Sequence, residues 1–163
     1  MKSGRLYYAM EEATVGKDSV LGWVRENGPS CGVICAHHYV ACAASEASEH
    51  QLALSAAEFE RRERRGLFAL TWQARGMRYG LGKEIELWLG KGIDVLIDGS
   101  RAALPLARAY FSDMVPVLIA AGAGSSALPV SGESLPEGTL TIANGLSTPE
   151  LGAALLSAIR HAG

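Results

Sequence analysis

The sequence predicts an α/β domain built around a parallel sheet. Short apolar runs alternate with segments of helical periodicity along the 163 residues, which is typical of strand–helix–strand units. Continuous apolar runs such as VPVLIA at residues 115–120 are typical of strands covered on both faces. The segment Gly16-Lys17-Asp18-Ser19 follows the first such run and opens a helical pattern, as the second half of a phosphate-binding loop does.

Six strands are predicted from the short apolar runs. In chain order they are residues 6–10, 32–36, 67–72, 93–97, 115–120 and 139–142. Pro116 cannot donate a backbone hydrogen bond, so we expect the fifth of these strands to be irregular near its start.

Five helices are predicted, at residues 18–26, 56–65, 83–90, 102–111 and 149–161. The first has an apolar face that includes Leu21 and Val24. Ser55 precedes Glu58 by three residues at the start of the second, which is the pattern of a capping box. Residues 121–137 are rich in glycine, serine and proline and indicate a loop.

The composition indicates a single domain, residues 1–163, of an ordinary globular protein. The net charge of −2 and the hydrophobic content of 48% give no basic excess for nucleic-acid binding. No apolar run is long enough to span a membrane, and residues 1–5 lack the apolar stretch typical of a secretion signal, so we expect neither feature. Three cysteines are typical of reduced thiols, so we expect a cytoplasmic protein. The oligomeric state is left open, and an oligomer is compatible with the sequence.

Four stretches carry a resemblance to a known family. They are LSAAEF at residues 54–59, ALTWQA at 69–74, YGLGKEIELWL at 79–89 and IDVLIDGSRA at 93–102. On these residues the chain resembles the ribose 1,5-bisphosphate phosphokinases, guanylate-kinase-like members of the P-loop proteins. Thr141-Ile142 with Asn144 and Gly145 continues the match.

The resemblance implies a P-loop NTPase-like, three-layer fold with a parallel sheet and a small acceptor-binding lobe at residues 37–80. The lid is reduced to the loop at residues 121–137. It also implies ATP-dependent phosphoryl transfer to ribose 1,5-bisphosphate, giving phosphoribosyl pyrophosphate in phosphonate metabolism. The implied cofactors are ATP and magnesium, and the implied partner is a phosphorylated small molecule or nucleotide.

The same resemblance assigns site residues. The residues that would bind ATP phosphates are Gly16, Lys17, Asp18 and Ser19. The catalytic candidates are Lys17 and Arg101. The acceptor-binding candidates are His38, Tyr39, Tyr79 and Gly80. Magnesium would be held by Ser19 and Asp98, although Asp98 is also explained as a turn residue before a glycine. Lys17 has a second explanation too, as a surface residue of the first helical turn.

Three departures from the family pattern concern the phosphate-binding loop at residues 10–19 (the donor loop), the acceptor lobe and the lid. Glu11-Glu12-Ala13-Thr14 replaces a Gly-Pro-Ser-Gly type of sequence. The two carboxylates would repel the phosphates of ATP, because one pair of like charges at about 4 Å costs ~1 kcal/mol in water and ~4 kcal/mol at intermediate screening. His38 and Cys42 replace two arginines that would hold acceptor phosphate. The lid loop contains no arginine or lysine. Its loss matters because an arginine finger can raise the rate of phosphoryl transfer by about 10³–10⁵-fold.

These losses predict transfer that is weak or lost, as in a pseudoenzyme. The alternative is a non-catalytic phosphosugar- or nucleotide-binding or scaffold protein, in which Glu11 or Glu12 occupies the vacant phosphate site. A third hypothesis is new acid–base chemistry using His37, His38 or Cys42. A metal site is a further interpretation of the cysteines and histidines between residues 31 and 50, although buried thiols on an apolar strand explain the cysteines equally well.

Overall fold

The structure, a computed structural model, describes residues 2–11, 16–120, 135–143 and 147–163. Over this part of the chain the strands are β1 (Leu6–Glu11), β2 (Val33–Cys35), β3 (His38–Ala41), β4 (Gln51–Leu54), β5 (Phe68–Ala74), β6 (Met77–Gly82), β7 (Asp94–Asp98), β8 (Val115–Ala120) and β9 (Leu140–Ala143). The helices are α1 (Lys17–Asn27), α2 (Ala56–Arg64), α3 (Glu84–Gly90), α4 (Leu104–Tyr110) and α5 (Thr148–Ala162). All five predicted helices are present, with ends within two residues of the prediction.

The main sheet has five parallel strands in the order β2-β7-β1-β8-β9. It is covered on both faces, because strand alternation sends Tyr7 and Tyr8 in opposite directions. Tyr7 packs with α1 and α5, and its hydroxyl donates to the carbonyl of Ile159 at 3.2 Å. Tyr8 faces the core shared with α3 and α4. The parallel sheet predicted from the apolar runs is therefore confirmed.

The register between β1 and β8 runs unbroken through Pro116, which pairs with Tyr8. The irregularity expected at this proline is therefore not seen in that pairing. Pairing of β8 with β9 begins one residue later, at Val117. At α2, the Ser55 hydroxyl accepts a hydrogen bond from the Glu58 backbone N–H at 3.1 Å, which confirms the predicted serine cap.

A second sheet of four strands, in the order β4-β3-β6-β5, differs from the prediction. The strand predicted at residues 67–72 lies here as β5, antiparallel to β6, and not in the parallel sheet. β3, β4 and β6 were missed because they are short, polar or glycine-containing, so they lack the continuous apolar run of a strand buried on both faces. The helix α2 covers one face of this sheet, with the Phe59 ring 4.6 Å from that of Phe68.

Several predicted features lie outside the described residues. They are Glu12 with the rest of the donor loop to residue 15, most of the lid loop at residues 121–134, and Asn144 with Gly145. No helix in the described ranges combines the length and apolar character needed to cross a membrane.

Candidate functional site

A cleft of about 370 Å³ lies between the carboxyl ends of β1 and β7 and the second sheet. In open parallel sheets ligands bind at this edge. Its described lining from the main-sheet side consists of Glu11, Lys17, Asp18, Asp98, Gly99 and Ser100. Its described lining from the second sheet and the segment before β4 consists of His38, Ser48, Gln51, Trp72, Ala74, Arg75 and Tyr79. The volume suits a small polar ligand.

The first residue of α1, Lys17, is buried at the floor of this cleft, with 9% of its surface exposed. Gly16 precedes it with φ 85°, a left-handed conformation that glycine adopts without strain. The Lys17 Nζ lies 2.6 Å from Asp98 Oδ1 and donates to the Gly99 carbonyl at 3.0 Å. Lys17 is therefore not a surface residue, and Asp98 is its ion-pair partner.

The backbone N–H of Lys17 is also occupied by a carboxylate. It donates to Glu11 Oε2 at 3.2 Å. A helix N-terminus attracts anions because its first N–H groups lack helical acceptors and its dipole is positive there. The contact agrees with the expectation that a glutamate from the donor segment would take the place of a phosphate.

The position of Gly99 depends on its lack of a side chain. A β-carbon there would lie 2.1 Å from Cζ of the Tyr8 ring. The close approach lets the Tyr8 hydroxyl donate to the Ser100 carbonyl at 2.7 Å and accept from the Ser100 N–H at 3.0 Å. Burial raises the pKa of Tyr8 to about 12, so this phenol stays neutral and holds the turn that presents the Gly99 carbonyl to Lys17.

An aromatic wall faces the lysine across the cleft. The rings of Trp72 and Tyr79 stack with centroids 5.6 Å apart and planes 16° apart. His38 meets both edge-on, at 5.9 Å from Trp72 and 5.5 Å from Tyr79. Its Nε2 lies 3.1 Å from Nε2 of Gln51, so with the amide donating the imidazole accepts and is neutral.

His38 is 5% exposed, and this burial lowers its pKa from the ordinary 6.5. The negative charge of Asp98 opposes the shift, and the positive charge of Lys17 adds to it. The unfolded chain therefore takes up this proton first as the pH falls. We expect the free energy of unfolding to be unaffected by His38 above pH ~6.5 and to fall below it by up to about 1.4 kcal/mol per pH unit. Urea unfolding between pH 7.5 and 5 measures this slope.

The matched variants for this prediction are His38→Gln and His161→Gln. The first should make the slope shallower, and the second is the control because it replaces an exposed histidine with the same residue. Burial also lowers the pKa of His37, so some slope remains in His38→Gln. An identical slope in wild type and His38→Gln would contradict the prediction.

Several site residues predicted from the sequence meet in the cleft, namely Lys17, Asp18, His38, Tyr79 and Asp98. Ser19 is exposed on α1, Arg101 is half-buried in the turn after β7, and the cleft lining contains neither of them. They stay predictions from the resemblance.

Tyr39 and Gly80 lie on the other face of the second sheet, because neighbouring residues of a strand point to opposite faces. The Tyr39 hydroxyl donates to Glu84 Oε1 at 3.0 Å, and its ring lies 5.7 Å from that of Phe68. A β-carbon at Gly80 would be 2.8 Å from the Phe68 ring. The structure thus does not bring these two predicted acceptor contacts to the cleft.

Magnesium is implied if the protein is active, but the described residues do not fit it. Asp98, the predicted ligand, is engaged by Lys17, and Ser19 does not line the cleft. Within the described ranges no group of three or more histidine, cysteine, aspartate or glutamate side chains could hold a metal ion, which contradicts the metal interpretation of residues 31–50. There Cys35 and His50 both contact the Arg25 guanidinium.

Sequence reasoning missed Gln51, Ser48 and Arg75. Gln51 and Ser48 come from β4 and the turn before it, which were not predicted as elements. Arg75 followed by Gly76, between two strands, is a hairpin turn signal that could have been used, but only the fold shows that the turn reaches the cleft.

Comparison with known proteins supports both fold and family resemblance. The chain is 48% identical over 120 residues to the ribose 1,5-bisphosphate phosphokinase of Chromobacterium violaceum. This alignment covers 74% of this chain and 64% of that protein. It is 45% identical over 120 residues to that of Laribacter hongkongensis, covering 74% of this chain and 29% of that protein. The aligned region thus spans less than two thirds of these relatives. No protein-family model matches the chain.

Guanylate kinase from Anaplasma phagocytophilum has the same fold, with a TM-score of 0.70 and 15% identity, and the superposition covers 99% of this chain and 87% of that one. The resemblance stated from the sequence is confirmed, and so is the P-loop NTPase-like α/β fold.

Proposed function

We propose that the protein binds a phosphorylated sugar of the ribose 1,5-bisphosphate class in this cleft and that its ATP-dependent phosphoryl transfer is weak or lost. The ligand class is supported by the names of the similar proteins from Chromobacterium violaceum and Laribacter hongkongensis. It is also supported by the lining, which contains a tryptophan ring that a sugar can pack against and hydroxyl and amide groups for its oxygens. Any residual transfer would give phosphoribosyl pyrophosphate.

The contacts of Lys17 support the proposal that phosphoryl transfer from ATP is weak or lost. Both groups of Lys17 that would bind an ATP phosphate are held by carboxylates, the backbone N–H by Glu11 and the Nζ by Asp98. Phosphoryl transfer depends on positioning and on stabilising charge at the phosphates. A lysine already neutralised by the protein has less attraction left for the nucleotide.

The charges of the described lining act in the same direction. Three carboxylates, those of Glu11, Asp18 and Asp98, face two cations, those of Lys17 and Arg75. The polyphosphate of ATP brings several more negative charges to the side where the carboxylates lie. Repulsion of ~1–4 kcal/mol per pair at about 4 Å weakens its binding there.

The alternative is a non-catalytic binding or scaffold protein on the same fold. The Glu11 contact favours it, because a helix N-terminus satisfied by the protein itself needs no nucleotide to be stable. ADP release above background, when ATP, magnesium and ribose 1,5-bisphosphate are supplied together, would exclude this alternative and favour weak residual transfer.

We expect ribose 1,5-bisphosphate to bind and to change the tryptophan fluorescence, because Trp72 lines the cleft. In a coupled ADP-release assay we expect turnover about 10³-fold or more below that of the Chromobacterium violaceum relative assayed in parallel, given the size of arginine and positioning effects. Turnover equal to that of the relative, and abolished by Lys17→Ala, would contradict the proposal.

A further inference from the structure

The turn between β5 and β6 places an arginine in a backbone conformation that arginine rarely adopts. Arg75 has φ 52° and the next residue, Gly76, has φ 74°, while Ala74 pairs with Met77 across the turn. A two-residue hairpin turn with both residues left-handed favours asparagine, aspartate or glycine. Among the described residues Arg75 is the one non-glycine with positive φ. Strain of this kind is typically found at functional sites.

The guanidinium of Arg75 also differs in its partners from those of three other arginines in the lobe. In the same lobe Arg61 and Arg62 pair with Glu58, and Arg78 pairs with Glu63. Arg75 makes no ion pair within the described part of the chain, although it lines the cleft. The other cation of the described lining, Lys17, is already paired with Asp98.

The cleft is also polarised in charge. Its three described carboxylates all belong to the main-sheet side, while Arg75 is the charged residue of the second-sheet side. Gln51 and Ser48, on the same side as Arg75, can donate neutral hydrogen bonds. An anionic group of a ligand is therefore attracted to the second-sheet side of the cleft, away from Glu11, Asp18 and Asp98.

We infer that Arg75 binds a phosphate of the acceptor, and so sets the preference of the cleft for phosphorylated sugars. This inference rests on the proposed function, since it requires a phosphorylated sugar in the cleft. The two arginines that the family pattern would supply on and after β3 are His38 and Cys42 here. Arg75 brings a planar guanidinium to the cleft from another element, and that group can hold phosphate through two hydrogen bonds.

Arg75→Asn separates this role from a structural one. Asparagine tolerates the left-handed conformation, so we expect a melting temperature equal to or above that of wild type. By calorimetry we expect ribose 1,5-bisphosphate to bind about tenfold or more weakly, because a charge-assisted hydrogen bond is lost. Arg75→Lys keeps the charge without the planar guanidinium, so its affinity for ribose 1,5-bisphosphate should lie between those of wild type and Arg75→Asn.

Arg65→Asn is the control, because Arg65 is exposed outside the cleft and its replacement changes the net charge equally. It should bind ribose 1,5-bisphosphate as wild type does. If Arg75→Asn binds this ligand as tightly as wild type, the inference is overturned and the proposed function stands. If wild type itself does not bind it, both are overturned.

Discussion

Asp98→Ala is expected to lower the free energy of unfolding by about 2–3 kcal/mol. The change leaves the Lys17 ammonium buried without its carboxylate, and removing one partner of a fully buried pair costs about 3–5 kcal/mol. The expected loss is smaller here because the side chains of Lys17 and Asp98 are 11% and 20% exposed. Urea denaturation at pH 7 measures it.

A double-mutant cycle separates the ion pair from other effects of the substitution. Lys17→Met keeps the aliphatic stem and removes the charge, so Lys17→Met with Asp98→Ala should be more stable than Asp98→Ala alone. A loss below about 0.5 kcal/mol in Asp98→Ala, the level of an ordinary surface change, would show that Asp98 does not hold Lys17 in solution.

Glu11→Gln is expected to raise the affinity for magnesium-ATP about tenfold. The substitution preserves size and removes one negative charge next to the α1 N-terminus, where a pair at about 4 Å is worth ~1–4 kcal/mol. It also weakens the competing hydrogen bond to the Lys17 N–H, since a charged acceptor binds more strongly than an amide. Titration calorimetry of the two proteins measures the effect. Glu60→Gln is the control, because Glu60 is an exposed residue of α2 and lies outside the cleft.

The main sheet and its helices could be predicted from sequence because most strands there contain a continuous apolar run. Val95, Leu96 and Ile97 in β7 are fully buried, and so are Val117 and Ile119 in β8. In the second sheet β5 gave such a signal, but β3, β4 and β6 did not. One of its strands, β4, has no fully buried residue, and β6 contains Gly80 and Gly82. Antiparallel strands with one exposed face carry a weaker pattern.

Site residues at the ends of main-sheet strands could be predicted from their order in the sequence. Contacts that depend on how the two sheets pack together could not. Lys17 and Asp98 were found because they end or follow strands of the main sheet. That Asp98 pairs with Lys17 could not be predicted, because the two are 81 positions apart and both were also expected to bind the ATP–magnesium complex. Arg75 was missed since only the docking of the second sheet brings the β5–β6 turn to the cleft.

Carboxylates of the protein occupy the two groups of Lys17 that would bind the phosphates of ATP. Calorimetric titration of wild type and Glu11→Gln with magnesium-ATP tests it most directly. We expect weak or undetectable binding to wild type and binding about tenfold tighter, or newly detectable, in Glu11→Gln. Micromolar binding to wild type that Glu11→Gln leaves unchanged would contradict it.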